Sequence, residues 1–186
     1  MAGHPKPLTP LRYPGGKGAF APFIKSVIDT NNLKGGHYME PFAGGAGVAL
    51  DLLFSGYVSN IHINDADLAI YNFWHAIVTN TDNFLALLQQ VPLTIEEWEK
   101  QKLVLKHPEN HSDLEHGFAT FYLNRTNRSG ILKAGVIGGK NQSGTYKLDA
   151  RFNKERLTNL IKRIADYAAN IHVYNLDALE LLGKVD

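Results

Sequence analysis

A glycine-rich segment preceded by an acidic residue is the part of this chain whose residue types and spacing most favour ligand chemistry. Glu40 stands directly before residues 41–47, which include three glycines, and an apolar helical pattern follows them. A glycine loop between a strand and a helix lets the backbone come close to a ligand, and the start of the helix offers free N–H groups. We therefore expect a small-molecule pocket at this loop.

The spacing of these glycines argues against a dinucleotide ligand. A dinucleotide loop has the pattern G-x-G-x-x-G, but counting from Gly45 and Gly47 the third position is Leu50. Glu40 would also repel a pyrophosphate, whereas its carboxylate would attract the positively charged amino group or sulfonium of an aminoacyl ligand. The segment therefore points to S-adenosylmethionine and disfavours a nucleotide-dependent oxidoreductase.

Asp65 is the second acidic residue with a position suited to cofactor binding. It follows a short apolar segment, at residues 61–64, that has the pattern of a buried strand. In doubly wound sheets an acid at this place commonly accepts hydrogen bonds from both hydroxyls of a ribose. The alternative is that Asp65 caps the next helix, a role that Asp67 is also suited to fill. We expect the ribose contact and keep the cap as the alternative.

The elements around these residues alternate between strands and helices. The patterns predict a helix at 20–28, a strand at 37–39, a helix at 48–54, a strand at 61–64 and a helix from about 67 to 79. Further along, they predict a helix at 153–169, a strand at 171–174 and a short helix at 177–182. Such alternation is typical of an α/β fold with a parallel, doubly wound sheet.

The middle of the chain interrupts this alternation. Residues 83–90, 95–106 and 114–124 all have helical patterns without a strand between them. Residues 130–146 hold five glycines among polar and basic residues, which is typical of an exposed loop or hairpin. We therefore expect three segments: a first part at 1–80, a mainly helical insert at 81–150, and a return to the first part at 151–186.

The motifs, taken together, resemble the Dam-type family of DNA adenine-N6 methyltransferases. The similar segments follow the order of the family and are residues 13–17, 40–47, 63–67, 121–130 and 151–153. The resemblance implies a Rossmann-like, S-adenosylmethionine-dependent methyltransferase sheet, here incomplete, with a helical DNA-recognition insert. It also implies S-adenosylmethionine as cofactor and double-stranded DNA as partner.

The resemblance further implies which residues hold the cofactor. It assigns the floor of the site to the Glu40 loop and the contact with the cofactor's adenine to Asp177. Without the motif, Lys17 would be an ordinary solvated lysine after two glycines. The cofactor-binding residues so expected are Tyr13, Lys17, Glu40, Phe42, Gly44, Gly45, Asp65 and Asp177.

The expected DNA-recognition residues lie at the end of the insert, where arginines and lysines alternate with asparagines. They are Asn124, Arg125, Asn127, Arg128, Lys133 and Lys140. Basic side chains contact phosphates, and amides offer donors and acceptors to base edges. The alternative is a solvated polar helix end. The best-known Dam enzymes carry a tyrosine, an asparagine and a glycine where this chain has residues 128–130, so the target sequence is left open.

The family's catalytic loop, Asp-Pro-Pro-Tyr, occurs nowhere in these 186 residues. In the family this loop follows the fourth strand and holds the adenine amine during methyl transfer. We therefore expect this chain to be a fragment of an adenine methyltransferase, from a truncated gene or a trimmed protein. It would contain no catalytic residue and would be inactive by itself. The alternative is a remnant that binds S-adenosylmethionine or DNA without turnover.

Composition limits the remaining possibilities. The net charge is only +1, so a DNA-binding surface must be local, and the absence of cysteine excludes disulfides and thiolate zinc sites. No signal-like or membrane-spanning apolar run is seen, so a soluble, cytoplasmic protein is expected. No metal is expected, because the histidines of residues 107–116 lie in a polar linker without an evident carboxylate partner. Trp74 and Trp98 are expected in the core.

Overall fold

A computed structural model describes residues 8–13 and 15–184 of the chain. Pro14 of the glycine-lysine motif, and the residues at 1–7 and 185–186 of the two predicted outer segments, lie outside the described residues. In the described part, three strands form one parallel sheet: β1 (His37–Glu40), β2 (Asn60–Asn64) and β3 (Ile171–Tyr174), in the order β1-β2-β3. The predicted strands and their parallel direction are confirmed.

Eight α-helices are found in the described residues. They are α1 (Ala21–Thr30), α2 (Gly47–Phe54), α3 (Leu68–Thr79), α4 (Thr81–Gln90), α5 (Ile95–Lys106), α6 (Asp113–Thr126), α7 (Lys154–Ala165) and α8 (Ala178–Leu182). The predicted helix at 153–169 was too long, since α7 ends at Ala165 and a separate turn of 3-10 helix covers Ala168–Asn170. The segment 130–146 forms turns, and an isolated bridge joins Asn127 to Val136 in place of a hairpin ladder.

The apolar face of the sheet positions the helices that surround the loops. Ile61 and Ile63 alternate along β2, are fully buried and pair in register with β3 through Ile171 and Val173. Helix α2 packs against β1 and β2, and α3 packs against β3. The loops that follow the strands are thereby gathered at the carboxyl edge of the sheet, where both acidic residues of the sequence motifs lie.

The opposite face of the sheet carries a row of polar aromatic side chains. The rings of His37, His62 and His172 stack across the three strands, with centroid separations of 5.2 and 4.7 Å. A hydrogen bond of 3.0 Å joins His37 Nδ1 to His62 Nε2, and one of 2.9 Å joins His62 Nδ1 to the Tyr174 hydroxyl. Burial, and then the charges of the two neighbouring histidines, lower the pKa of His62. These surroundings therefore favour the neutral form of the His62 imidazole.

A cluster of aromatic residues connects the helices of the middle segment with the rest of the core. Phe73 of α3, Phe84 of α4, Phe121 of α6 and Phe152 lie with ring centroids 5.4 to 6.0 Å apart along the chain of contacts. Three of these pairs are edge-to-face and Phe73 stacks on Phe121, and aromatic pairs of both kinds stabilise a core beyond the area that they bury. The helical middle segment is therefore packed onto the same core as the sheet helices.

No helix in residues 8–13 and 15–184 is both long enough and apolar enough to cross a lipid bilayer.

The close approach of α3 and α6 depends on Gly117. A Cβ atom at this position would lie 2.4 Å from the Asn72 backbone oxygen, so Gly117→Ala must push the two helices apart. We expect a loss of about 1–3 kcal/mol in the free energy of unfolding, despite the better helix propensity of alanine. Urea denaturation measures it. Gly183→Ala is the control, because its Cβ would approach no atom closer than 3.7 Å; equal stability of the two variants would contradict this account of the helix contact.

Candidate functional site

A cavity of about 900 Å³ opens at the carboxyl ends of β1 and β2. Ligands of open α/β sheets commonly bind in such a crevice. The segments around it are the chain before α1, the glycine loop, the start of α2, and the first turns of α7. Six of the predicted cofactor residues line the cavity: Tyr13, Lys17, Glu40, Phe42, Gly45 and Asp65. The fold therefore brings together side chains that lie far apart in the sequence.

Asp65 ties the glycine loop to the end of β2. Its Oδ2 accepts a hydrogen bond of 2.9 Å from the Gly44 N–H, and its Oδ1 accepts one of 3.0 Å from the Asp67 N–H. Asp67 is the N-cap of α3, since its Oδ1 accepts from the Ala69 N–H at 2.9 Å. The helix-cap interpretation of Asp65 is therefore wrong, and its carboxylate lines the cavity instead.

The glycine loop adopts a backbone shape that favours glycine at Gly44. Its φ is +45°, and a Cβ atom there would lie 2.8 Å from the Tyr13 ring. The indole of Trp74 donates a hydrogen bond of 2.9 Å to the Gly44 carbonyl, which fixes the loop from the side of α3. The next helix begins after Ala46, which also has a left-handed φ, of +46°. Tyr13 thus lies directly against the loop backbone.

Glu40 is the most unusual group in the cavity. Its side chain is only 6% exposed, and its Oε2 has no hydrogen-bond partner among the described residues. Burial raises the pKa of this carboxyl to about 7, and the Ala49 N–H and the Lys17 ammonium oppose the shift only in part. Buried acceptors are nearly always paired in folded proteins. A carboxyl group that lines a cavity and has such an oxygen at its buried side is suited to a cationic donor from a ligand.

Tyr13, Lys17 and Phe42 surround Glu40 with exposed side chains. Phe42 is 68% exposed and Tyr13 47% exposed, so both present apolar area to the open cavity. Burial of the hydroxyl, followed by the charges of Asp65 and Asp67, raises the pKa of Tyr13, which stays neutral at physiological pH. Lys17 is the first residue of a 3-10 turn that directly precedes α1. This part of the site therefore combines aromatic surface and one ammonium group with the carboxylates of Glu40 and Asp65.

The structure does not bring Asp177 to the cavity. Its carboxylate caps α8, accepting a hydrogen bond of 2.8 Å from the Leu179 N–H, and the residue is not part of the cavity lining. Asn64, at the end of β2, is the residue that links the loop after β3 to the site through hydrogen bonds with Leu176. Asn64 was missed in the sequence because an asparagine at a strand end has no distinctive pattern.

The predicted DNA-contacting asparagines lie in the interior. Asn124 accepts from the Arg12 N–H and donates to the carbonyls of Arg12 and Gly130, at 2.7 to 2.9 Å. Asn127 accepts from the Trp98 indole and donates to the carbonyls at 131 and 132, at 2.7 to 3.0 Å. Both N–H donors and the carbonyl oxygen of each amide are therefore engaged within the protein. These two predictions are corrected, since the amides hold the backbone and present nothing to DNA.

The predicted basic residues divide into buried and exposed groups. Arg125 is half-buried and donates to the Arg151 carbonyl at 2.7 Å. Arg128, Lys133 and Lys140 are exposed on the segment after α6. Lys140 forms an ion pair of 2.6 Å with Glu99 of α5, which anchors this segment to the helix. The exposed side chains are accessible to a partner, whereas Arg125 also stabilises the local structure through its hydrogen bond to the Arg151 carbonyl.

No group of histidines, aspartates and glutamates suited to a metal ion occurs in the part of the chain that the structure describes. His116 is buried on α6 and makes a hydrogen bond of 3.0 Å with the Asn72 side chain. The prediction that His116 lies in a polar linker is therefore wrong, whereas Trp74 and Trp98 lie in the core as predicted.

The raised pKa of Glu40 gives the unfolding of the protein a specific pH dependence. Since the folded-state pKa is above the ordinary value, the folded protein favours the protonated carboxyl. The contribution of this protonation to the stability of the fold is lost as pH rises from about 4.5 through 7. Glu40→Gln should therefore increase the free energy of unfolding at pH 8 by up to about 3 kcal/mol and change it little at pH 4.5. Melting temperatures measured at the two pH values test this. The exposed Glu155→Gln is the control; a pH-independent effect of Glu40→Gln would contradict the burial argument.

Comparison with known proteins gives the family of the chain. No curated protein matches it. Residues 13–186 match the family model of the D12 class N6 adenine-specific DNA methyltransferase, a range that includes the glycine loop, the helical middle segment and β3. The chain therefore belongs to the D12 class of N6 adenine-specific DNA methyltransferases.

Proposed function

We propose that these residues bind S-adenosylmethionine in the cavity at the carboxyl ends of β1 and β2 and double-stranded DNA beside it, as part of an adenine-N6 methyltransferase. The observation that carries the proposal is that Glu40 lines a cavity formed largely by glycine backbone, while its buried Oε2 has no hydrogen-bond partner among the described residues. Such an oxygen is costly to the folded protein unless a ligand satisfies it. Its sign of charge suits the amino group or the sulfonium of the cofactor.

The residues present fit the cofactor in size and in chemistry. The cavity volume lies within the usual range of small-molecule sites. Glu40 would hold the cationic end of the aminoacyl moiety, Asp65 the ribose hydroxyls, and Lys17 the carboxylate, with Tyr13 and Phe42 as apolar walls. When bound, the cofactor supplies an activated methyl group. Asp177 is left out of this set because its carboxylate caps α8.

The arrangement of the elements supports a division of the chain into two kinds of segment. Residues 1–80 and 151–186 would form the cofactor-binding part, with a Rossmann-like sheet that is incomplete within these residues. Residues 81–150 would be the DNA-recognition insert, because α4, α5 and α6 follow one another without a strand before the glycine-rich turns. A cytoplasmic location, expected from the sequence, stays a prediction.

The exposed basic residues after α6 are the proposed DNA contacts on the insert. Arg128, Lys133 and Lys140 project from a segment whose backbone is held by Asn124 and Asn127. Phosphate contacts by such residues add affinity and position the protein without specifying the sequence. The target sequence and a role in restriction are therefore not part of the proposal.

A second candidate function is a module that binds the cofactor and DNA without turnover. The observation that favours it is that no Asp-Pro-Pro-Tyr segment occurs in the 186 residues, so that no residue here is assigned to holding the adenine amine. We expect the 186-residue chain alone to bind S-adenosylmethionine and to transfer no methyl group to DNA. Calorimetry and transfer of a radiolabelled methyl group measure the two properties separately; labelled DNA would rule out the module.

The cofactor proposal predicts a large effect of Asp65→Ala. Loss of a charged acceptor costs about 1.5–3 kcal/mol, so the dissociation constant for S-adenosylmethionine should rise about 10- to 100-fold in calorimetry. Asp67→Ala is the matched control, because Asp67 caps α3 and is not part of the cavity lining. That variant should lose some thermal stability and keep its affinity. Equal affinities of Asp65→Ala and the unaltered chain would contradict the ribose contact.

The DNA proposal predicts a shallower salt dependence when the exposed cations are removed. Replacing Arg128 and Lys133 together with glutamine should reduce the slope of log affinity against log salt by about two. The control replaces Lys34 and Arg163, which lie near the opposite end of the sheet, against Tyr57 and Phe54. An unchanged slope in the first variant, or an equal change in the control, would show that DNA does not contact this segment.

A further inference from the structure

Four arginines lie close together along one side of the cavity, and none of them is neutralised. Arg12, Arg125 and Arg156 line the cavity, and Arg151 lies beside Arg125. Within the described residues, every ion pair uses a lysine or a histidine as the cation, and no carboxylate oxygen lies within 4.0 Å of an arginine nitrogen. We refer to Arg12, Arg125, Arg151 and Arg156 as the arginine cluster.

Backbone carbonyls hold the guanidinium groups of Arg12 and Arg125 in place without cancelling their charge. Arg125 donates from Nε to the Arg151 carbonyl at 2.7 Å and from Nη1 to the Pro10 carbonyl at 3.4 Å. Arg12 donates from Nη1 to the Asn127 carbonyl at 3.2 Å. These hydrogen bonds use part of each guanidinium and leave further N–H donors. Arg12 and Arg125 are therefore oriented in advance of any ligand.

The proximity of these arginines is costly in the absence of an anion. Burial, and then repulsion from Arg12, Arg156 and Arg151, lower the pKa of Arg125 to about 10. Arg156 stands in the first turn of α7, where the free N–H groups of the helix add positive potential. Like charges at close range destabilise a fold, and a bound anion would remove this repulsion.

The charges of S-adenosylmethionine do not account for the arginine cluster. The cofactor carries an ammonium, a sulfonium and one carboxylate. In the proposed arrangement Glu40 matches its cationic end, Lys17 matches its carboxylate, and Asp65 is assigned to its uncharged ribose hydroxyls. Asp51, the other carboxylate in the lining, forms an ion pair with Lys25. Several positive charges in the same cavity thus remain without an opposite charge.

We propose that the arginine cluster binds a phosphodiester of the DNA strand at the rim of the cofactor cavity. Guanidinium groups match phosphate oxygens in paired hydrogen bonds, and several of them suit a polyanion better than a single carboxylate. The site draws on the segment before α1, on α6 and on α7, and is therefore separate from the exposed residues after α6. This inference rests on the proposed function, because it takes the cavity as the cofactor site.

Arg156 offers the cleanest test, because its guanidinium makes no hydrogen bond or ion pair within the described residues. Binding of a mixed-sequence DNA duplex is measured over a series of KCl concentrations. Arg156→Gln should lower the slope of log affinity against log salt by about 0.9, the value for one phosphate contact. Arg156→Lys should keep the slope. Arg163→Gln is the matched control on the same helix, since Arg163 lies over the Phe54 ring and not in the cavity lining.

Three results would overturn the inference. The first is an unchanged slope in Arg156→Gln, or the same change in Arg163→Gln. The second is saturable binding of inorganic phosphate that Arg156→Gln abolishes while the DNA slope stays the same, which would make this a site for free phosphate. The third is a tenfold loss of S-adenosylmethionine affinity in Arg156→Gln, which would assign the cluster to the cofactor.

Calorimetry on the unaltered chain separates this inference from the proposed function. If the unaltered chain binds no S-adenosylmethionine, the cofactor assignment fails, whatever the salt slopes show. If it binds the cofactor and the slopes of Arg156→Gln and the unaltered chain agree, only the phosphodiester site fails. The expected result is cofactor affinity within twofold of the unaltered chain, together with a lower salt slope.

Discussion

The hydrogen bonds of one buried amide, that of Asn64, hold together the loops on which the site depends. Its Nδ2 donates to the Pro41 carbonyl at 2.9 Å and to the Leu176 carbonyl at 3.0 Å, and its Oδ1 accepts from the Leu176 N–H at 2.9 Å. Loops at the end of a parallel sheet must pair their backbone groups where water is excluded. Asn64 meets this need for the loops after β1 and β3, and Asp65 then fixes the glycine loop through Gly44.

Two more buried amides have the same function on the other side of the cavity. Asn124 connects α6 to the Arg12 backbone and to Gly130, and Asn127 connects it to the turns that follow and to Trp98. A Cβ atom at Gly130 would lie 2.2 Å from the Arg12 carbonyl oxygen, so glycine is required for the two segments to meet. The chain before α1 is thereby fixed against the helical middle segment, and both take part in one site.

The cavity concentrates charges that the folded protein bears at a cost. Glu40 is buried with no partner for Oε2 in the part of the chain that the structure describes, and the positive charges of the arginine cluster repel one another. Both features reduce stability in the ligand-free protein and become favourable only with ligands of opposite charge. Such a site lowers the stability of the free protein and strengthens ligand binding. Its two kinds of charge suit the proposed cationic cofactor and the proposed anionic DNA strand, bound next to each other.

The sequence by itself determined the strands, most helices, the glycine loop and the two acids, Glu40 and Asp65, that line the cavity, because local periodicity and turn residues depend on near neighbours. It also determined the family, through the order of its motifs. It did not distinguish Asp65 from Asp67 as the helix cap. It also did not distinguish the buried Asn124 and Asn127 from exposed DNA contacts, because the type of a polar residue does not reveal whether it is buried. Nor did it separate the capping role of Asp177 from a cofactor contact. Only the tertiary structure decided these points, and it alone brought Arg12, Arg125 and Arg156 together, because burial and charge proximity arise from contacts between segments more than a hundred residues apart.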